Sequence, residues 1–205
     1  AIIGIAAGAI TAFTAAAQSQ TITEVRIDQP GANTDTFIEI TGTPNSGLKG
    51  LSLIVIGDSD AFPPQQNGHV ELVVTLGNTI PSDGVLLIAG SSFSQGVPDI
   101  VQELNFETGD NLTLMIVEGN VQEGFDVDTN DDGVINNSPG TIIDSMALIA
   151  NGSPDGFGSE FFYSDNTIGP INNQPPQHAW ACNDDGSWRA GDDAIGGENE
   201  TPGAL

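Results

Sequence analysis

The run LSLIVIGD, residues 51–58, is apolar at nearly every position and ends in a Gly-Asp pair. A continuous apolar run of this length, bounded by turn residues, is typical of a strand that is buried on both faces. Upstream, the runs TITEVRID (residues 21–28) and DTFIEITG (residues 35–42) alternate apolar and polar side chains. Because successive side chains of a strand point to opposite faces, this alternation predicts strands that turn one face to a core.

The rest of the chain repeats this pattern. Short runs bounded by Gly, Pro, Asn or Asp follow one another, namely HVELVVTLG, GVLLIAG, DIVQEL, NLTLMIVEG, TIIDSMALIA and EFFYS. No stretch after residue 20 keeps a helical period over three turns, and no unit of 20–50 residues repeats. Many short strands separated by turn residues predict an all-β fold, either a sandwich or a barrel.

The charge of the chain excludes several classes of function. Its 205 residues carry 28 acidic and 3 basic side chains, which gives a formal net charge of −25. With only Arg26, Lys49 and Arg189 as cations, no basic patch can neutralise phosphates, so nucleic acid is not an expected partner. Anionic lipid surfaces repel such a chain, and no membrane contact is expected in the mature form. We interpret the protein as extracellular, secreted or at the cell surface, where cations screen its charge; an acidic intracellular protein is the alternative.

The first seventeen residues, AIIGIAAGAITAFTAAA, carry no charge at all. Three interpretations stay open for them. They resemble the end of a secretory signal peptide with small residues at its cleavage site. They are also just long enough for a membrane span or a packed helix. The third interpretation is an apolar arm that leaves its own domain and docks into a neighbouring subunit, as a donor strand on an open sheet edge.

We favour the arm, because isoleucine and threonine side chains suit an added strand and small residues allow close approach to another backbone. The chain then divides into the arm, residues 1–20, and a β-sandwich, residues 21–205. The predicted subunit interface consists of four apolar arm residues that insert into a groove of an adjacent copy: Ile3, Ile5, Ile10 and Phe13.

Three segments of the body resemble the bacterial secreted branch of the lamin-tail-like domains. They are ITEVRIDQPGANTDTFIEITG at residues 22–42, LKGLSLIVIGD at residues 48–58 and WRAGDDAIGGENETPGAL at residues 188–205. The elements that match are the Phe-Ile-Glu-Ile strand at 37–40, the Leu-x-Gly-Leu-x-Leu pattern at 48–53, and a Trp followed by Thr-Pro-Gly-Ala at 201–204.

This resemblance covers residues 21–205 and implies an immunoglobulin-like β-sandwich with a role in interactions. In bacteria, such domains often accompany extracellular nuclease or phosphatase modules, and no such catalytic module is visible in this sequence. The apolar residues 1–17 are not part of the family pattern, so the assembly role predicted for them rests on their own composition.

The segment GFDVDTNDDGVINN, residues 124–137, contains the opening half of a calcium-binding loop. Alternate Asp and Asn side chains converge on one point in a tight loop, Gly133 permits the turn, and calcium takes six to eight oxygens. The twelfth position of such a loop is Pro139 here, not Glu, so a further ligand has to come from elsewhere. An Asp/Asn-rich hairpin loop without metal is the alternative. The predicted calcium ligands are Asp126, Asp128, Asn130, Asp132, the carbonyl of Val134, and Asp144.

Other polar groups give weaker signals. The acids around residues 183–186 and 192–193 lack alternating spacing and are typical of solvated loops. Four Asn-x-Ser/Thr sequons permit covalent glycans, although such sequons also arise by chance in a chain rich in these residues. The predicted glycosylation sites are Asn111, Asn136, Asn151 and Asn199.

The sequence contains few candidate catalytic groups. The two histidines, His69 and His178, lie far apart in the sequence. His178 and Cys182 share one face of a strand, but their Cα atoms would be about 13 Å apart, beyond hydrogen-bond reach. We expect a buried Cys182 beside Trp180 or Trp188, and as the chain's single cysteine it excludes an internal disulfide. The protein is therefore not expected to be an enzyme, although paired carboxylates for glycoside hydrolysis stay open.

The sequence thus favours one function and leaves two alternatives. The favoured function is a structural subunit of an extracellular filament or pilus-like polymer, joined head to tail through the arm and stabilised by calcium. Its partner would be the protein itself. The first alternative is a monomeric secreted calcium-dependent adhesion or carbohydrate-binding module, with residues 1–17 as a signal peptide. The weakest is a hydrolase with acidic residues around a metal.

Overall fold

The computed structural model describes residues 20–57, 67–106, 108–150, 152, 161–182, 187–191 and 201–203. Over these ranges the chain forms eleven β-strands and no helix, which confirms the prediction of an all-β sandwich. The arm predicted for residues 1–20 lies outside the described residues, apart from Gln20. No helix in the described ranges is long and apolar enough to cross a membrane.

The strands form two sheets. In chain order they are β1 (Thr21–Arg26), β2 (Phe37–Thr41), β3 (Leu51–Gly57), β4 (His69–Thr75), β5 (Val85–Ala89), β6 (Ile100–Val101), β7 (Leu112–Glu118), β8 (Thr141–Leu148), β9 (Thr167–Ile168), β10 (His178–Ala181) and β11 (Trp188–Gly191). The first sheet has the order β11-β10-β1-β2-β5-β6, and the second sheet has the order β4-β3-β7-β8-β9. Neighbours are antiparallel except for the pairs β5–β6 and β8–β9, which are parallel.

The main core lies between the two sheets and uses alternate residues of each strand. Ile38 and Ile40 of β2 face Leu53 of β3 and Leu114 of β7, and all four are fully buried. Burial of such side chains contributes about 1.5–3 kcal/mol each. The alternation of TITEVRID and DTFIEITG thus marks the core-facing side of β1 and β2, as the sequence predicts.

The second sheet is also covered on its outer face. Ile54, Ile56, Met115 and Val117 point away from the first sheet and pack under the β7–β8 connection, residues 119–140. Val121 and Val127 of this connection cover them, with Phe125 and Ile135 at the margin, and Tyr163 and Phe161 from the segment after β8 complete the cover. Burial on both faces explains why β3 is apolar at nearly every position, and the prediction from LSLIVIGD is confirmed.

The outer face of the first sheet divides into two parts. Over β2 and β5, Phe37, Leu87 and Ala89 form a small apolar cluster with Phe93. Over β1, β2 and β10 the same face carries buried polar side chains instead. These are Glu24, Arg26, Glu39 and His178, each no more than 3% exposed.

Candidate functional site

The Asp/Asn-rich loop at residues 124–137 lies on the outer face of the second sheet. It begins by pairing with the start of β4: the Val70 N–H donates to the Phe125 carbonyl at 2.9 Å, and the Gly124 N–H donates to the Val70 carbonyl at 2.7 Å. Val127 is fully buried beneath the loop and fixes it to the sheet. The loop is therefore held by backbone pairing at one side and by apolar packing below.

Asp128 is the centre of this loop and is fully buried. Its Oδ2 accepts hydrogen bonds from the Gly133 N–H at 2.7 Å and from the Tyr163 hydroxyl at 3.1 Å. Its Oδ1 accepts one from the Asp132 N–H at 3.3 Å. Positive φ angles at Asp131 (52°) and Gly133 (81°) turn the backbone so that these amides face the carboxylate. Gly133 therefore makes the sharp turn that the sequence predicts for it.

Hydrogen bonds link several polar side chains of the loop. The Asn130 amide donates to Asp132 Oδ2 at 2.8 Å, and the Asn136 amide donates to Asn130 Oδ1. Asp132 Oδ1 accepts the Val134 N–H at 3.0 Å, while the Val134 side chain is 62% exposed. N–H donors of the loop itself therefore bind the side-chain oxygens of Asn130 and Asp132 in this structure.

Asp126 completes the acidic group. Its Oδ1 accepts the Asp128 N–H at 2.9 Å, and its carbonyl accepts the Asn137 side-chain amide at 2.7 Å. The electrostatic effect of this crowding is visible at Asp131. Burial raises the pKa of Asp131 above its usual value, the charges of Asp126 and Asp128 raise it further, and His69 opposes them.

The structure does not bring Asp144 to this loop, and its proposed part in a calcium site is corrected. Asp144 pairs with Ile116 of β7, whose side chain lies in the core between the sheets, whereas the loop covers the opposite face. Paired residues of an antiparallel ladder share a face. The Asp144 carboxylate instead accepts the Ile22 N–H of β1 at 2.7 Å, beside the bulge between Ile22 and Glu24. Asp144 therefore bridges the two sheets.

Within the described residues, no three His, Cys, Asp or Glu side chains are arranged so that they could hold a metal ion. A calcium ion in the loop would have to draw on amide and carbonyl oxygens as well as carboxylates, as such loops do. It would also require Asn130 and Asp132 to turn from each other toward the ion, since their side chains are hydrogen-bonded to one another.

The four sequons have different surroundings. Asn111 is fully buried, and its Oδ1 accepts the Ala150 N–H at 2.8 Å. A glycan on this buried amide would not fit the folded chain, so Asn111 is corrected as a glycosylation site. Asn136 is an exposed residue whose side chain also belongs to the acidic loop, where it accepts from Thr129. Asn151 and Asn199 lie outside the described residues.

His178 of β10 and Cys182, which directly follows this strand, contact different residues. His178 is fully buried, with Nε2 at 2.8 Å from Glu24 Oε1 and its ring stacked on Trp180. Cys182 is half-buried rather than buried, and its sulfur accepts from Arg189 Nε at 2.8 Å. Cys182 is therefore less buried than expected, and its sulfur contacts an exposed guanidinium. These contacts keep the imidazole and the thiol on different partners.

A cleft of about 510 Å³ opens beside the acidic loop. Its lining combines loop residues with hydroxyl and aromatic side chains, among them Val134, Ser145, Phe162, Tyr163 and Ser164. Ser145 and Ser164 are joined by a hydrogen bond of 3.0 Å between their hydroxyl oxygens. The cleft therefore offers polar groups and aromatic rings close to the loop.

The polar group on the outer face of the first sheet was not predicted. The alternation of apolar and polar residues in β1 and β2 predicts that Glu24 and Glu39 face solvent. Both are instead almost completely buried. Residues 201–203 lie over them, and Thr201 and Gly203 donate hydrogen bonds to their carboxylates. The only signal in the sequence was the Thr-Pro-Gly-Ala motif itself.

The predicted arm residues Ile3, Ile5, Ile10 and Phe13 lie outside the described residues, so their contacts stay a prediction. The resemblance to the lamin-tail-like domains stays a prediction as well. Comparisons of the chain with protein-family models, with curated proteins and with solved structures give no match.

Proposed function

We propose that the protein is a structural subunit of an extracellular polymer, in which residues 1–17 of one copy dock along a sheet edge of the next. One observation carries the proposal: an uncharged apolar segment is joined to a body whose charge is −25. Such a segment is an aggregation hazard in water unless another surface buries it. A head-to-tail contact of this kind gives an open polymer whenever its rotation does not close a ring.

The acceptor that the fold offers is the outer edge of β4. Among the described residues the sheets end on four edge strands, and β4 with seven residues is longer than β11 with four or β6 and β9 with two each. The acidic loop pairs with β4 at Val70. From Leu72 to Thr75, no described residue pairs with its outer side. A free edge is where an extended peptide adds as a further strand.

The side chains at this edge fit an apolar strand. Leu72 is half-buried against the core between the sheets, and Val73 is half-buried against the cluster under the acidic loop. If an arm strand paired with β4, side chains on one of its faces would cover Leu72 and those on the other face would cover Val73. Burial of four arm side chains at about 1.5–3 kcal/mol each gives roughly 6–12 kcal/mol before the cost of ordering.

Calcium is part of the proposal because the polymer would bring strongly negative subunits together. Hydrogen bonds group Asp128, Asn130 and Asp132 within one loop, and their oxygens are of the kind that calcium takes, which supports the proposal of a cation site there. Bound cations would reduce the repulsion within the loop and between copies. The same loop lies beside β4, so its order would also affect the proposed acceptor edge.

Complementary variants test the joint. Ile5→Asp puts a charge on the arm, and Val73→Lys puts one on the acceptor edge, a device that natural edge strands use against pairing. Each variant alone should stay monomeric in sedimentation and electron microscopy, while an equal mixture should form dimers that cannot extend. Val97→Lys is the matched control, since Val97 is 89% exposed and lies away from β4 in the 90–99 segment. Polymers of unchanged length from either variant would contradict the joint.

A second candidate is a monomeric carbohydrate-binding or adhesion module, favoured by the cleft of about 510 Å³ beside the acidic loop. Phe162 offers a ring for a sugar face, and Ser145 and Ser164 offer hydroxyls. This candidate predicts a monomer that binds glycans in the presence of calcium and loses binding in Phe162→Ala. Neither candidate requires catalysis, so we expect no turnover of phosphodiester, ester, peptide or glycosidic substrates. Turnover that one Asp or His substitution abolishes would contradict both.

A further inference from the structure

Two buried carboxylates on the outer face of the first sheet bind a separate piece of the chain. Glu24 of β1 and Glu39 of β2 lie opposite each other in the ladder and are 2% and 3% exposed. Buried carboxylates are costly unless hydrogen-bond donors surround them. We call the surface formed by Glu24, Glu39 and the neighbouring Leu87 the seat.

Residues 201–203, the Thr-Pro-Gly segment, supply those donors. Thr201 donates to Glu24 twice, from its N–H at 3.3 Å and from its hydroxyl at 3.1 Å. Gly203 donates its N–H to Glu39 Oε2 at 3.0 Å. Two further contacts hold the seat itself in place: His178 Nε2 lies 2.8 Å from Glu24 Oε1, and the Thr23 hydroxyl donates to Glu39 Oε1 at 2.8 Å.

Each residue of the segment is matched to the seat. Glu24 accepts a hydrogen bond from the hydroxyl of Thr201, a donor that an apolar side chain at this position would not supply. Pro202 fixes its own φ and so lowers the entropy lost on docking. Gly203 has a φ of +78°, a conformation that other residues seldom adopt, and lies against Leu87. The seat therefore recognises a short sequence through hydrogen bonds to carboxylates, without strand pairing.

The connection to the rest of the chain is longer than this contact needs. Gly191, the last residue of β11, pairs with His178. His178 contacts Glu24, and Glu24 accepts the hydroxyl of Thr201, so β11 ends close to the seat. Nine residues, 192–200, join Gly191 to Thr201, and a segment of that length spans up to about 30 Å when extended. The described contacts that hold the segment on the seat are the hydrogen bonds from Thr201 and Gly203.

We propose that the seat is a docking site for a Thr-Pro-Gly segment, and that the segment of a second copy can take the place of the chain's own. The same contacts would form in both cases, and nine residues between Gly191 and Thr201 give the chain the reach for such an exchange. The resulting contact between copies is a segment exchange. It needs neither residues 1–17 nor β4, so it is independent of the proposed polymer joint.

A peptide tests the recognition. In the full chain, Gly203→Pro removes the N–H and forbids the positive φ, so the chain's own segment should leave the seat while the body stays folded. A labelled peptide of residues 197–205 should then bind this variant in fluorescence anisotropy. A control peptide with the same Gly-to-Pro change should bind at least about tenfold more weakly, because it lacks a hydrogen bond to a carboxylate. Equal binding of both peptides would overturn the proposal. Thr201→Val serves as a second receptor variant if melting shows that Gly203→Pro is not folded.

Mixing two variants tests the second copy. The Gly203→Pro chain keeps the seat and loses the segment, whereas Glu24→Gln with Glu39→Gln weakens the seat and keeps the segment. Both chains carry Ile5→Asp, which removes any contribution of the arm. Sedimentation should show one-to-one complexes in the mixture and monomers of each chain alone. If the peptide binds but the mixture stays monomeric well above the dissociation constant of the peptide, the exchange is refuted. If Glu24→Gln with Glu39→Gln does not fold, Glu39→Gln alone takes its place.

Discussion

Asp128→Ala should destabilise the protein by about 2–6 kcal/mol. Asp128 is fully buried and accepts from two loop amides and from the Tyr163 hydroxyl. The amides of Asp132 and Gly133 lie in the exposed part of the loop, where water can replace the lost acceptor at a net cost of about 0.5–1.5 kcal/mol each. The Tyr163 hydroxyl is buried, and the loss of this acceptor costs about 1–3 kcal/mol.

Denaturant unfolding of the wild type and three variants measures this estimate. Tyr163→Phe removes the hydroxyl but leaves the two amide bonds, so it should cost less than Asp128→Ala. The double variant should then cost less than the sum of the two, with a coupling of about 1 kcal/mol, because both substitutions remove the same hydrogen bond. In a chain of this size each kcal/mol lowers the melting temperature by about 2–4 °C, which makes the effect easy to detect.

A cost below about 0.5 kcal/mol for Asp128→Ala would refute the reasoning, since surface substitutions commonly fall in that range. It would mean that the backbone pairing with β4 and the apolar packing of Val127 suffice to hold the loop on the sheet. Strict additivity of Asp128→Ala and Tyr163→Phe would contradict the hydrogen bond between them. Gly124→Ala is not a suitable control, because Gly124 has a positive φ of 81°; Val134→Ala is, because its side chain is 62% exposed.

Three further predictions concern pH, metal and backbone. Burial raises the pKa of Asp144, so the folded state binds a proton on this carboxyl more tightly than the unfolded chain does. The stability of the fold therefore falls as pH rises from about 3.8 through the raised pKa. Asp144→Asn keeps an acceptor for the Ile22 N–H and should flatten that pH dependence of unfolding, whereas Asp144→Ala should cost about 1–3 kcal/mol at neutral pH. Excess chelator should lower the melting temperature and speed hydrogen exchange in residues 124–137; an unchanged melt with no metal in elemental analysis would contradict the calcium proposal. Gly68→Ala should cost at least about 1 kcal/mol in thermal unfolding, because φ there is +79° and a Cβ would lie 2.9 Å from that of Asp128.

Strand patterns along the sequence were sufficient to predict the sandwich, and the run at 51–58 correctly predicted a strand buried on both faces. The spacing also marked residues 124–137 as a tight loop that turns at Gly133, which the structure shows, whereas the calcium ligands predicted in it stay a prediction. Asp144 could not be placed in this way, because the side of the sheet to which it points depends on its register with β7 and on the bulge between Ile116 and Val117. Neither the register of β8 with β7 nor the position of the bulge can be predicted from the local sequence.

Glu24 and Glu39 illustrate a different limit. Their alternation with Val25 and Ile38 correctly identifies them as pointing away from the core, and an outward carboxylate is normally solvated. They are buried because residues 201–203, distant in sequence, lie over them. A pattern within one strand cannot reveal a segment that comes more than 160 positions later, as the separation of 164 between Gly203 and Glu39 shows.

The connection between β7 and β8 makes the second sheet the middle layer of a three-layered region. If this connection opened locally, Met115 and Val117 would be exposed while the core between the sheets stayed intact. The molecule would then present an adhesive apolar surface without being unfolded, a state that a melting curve does not detect. We therefore expect a protease nick within 124–137 to precede loss of solubility. The hydrogen bonds of Asp128, which hold this loop closed, would then keep the apolar face of the second sheet away from solvent.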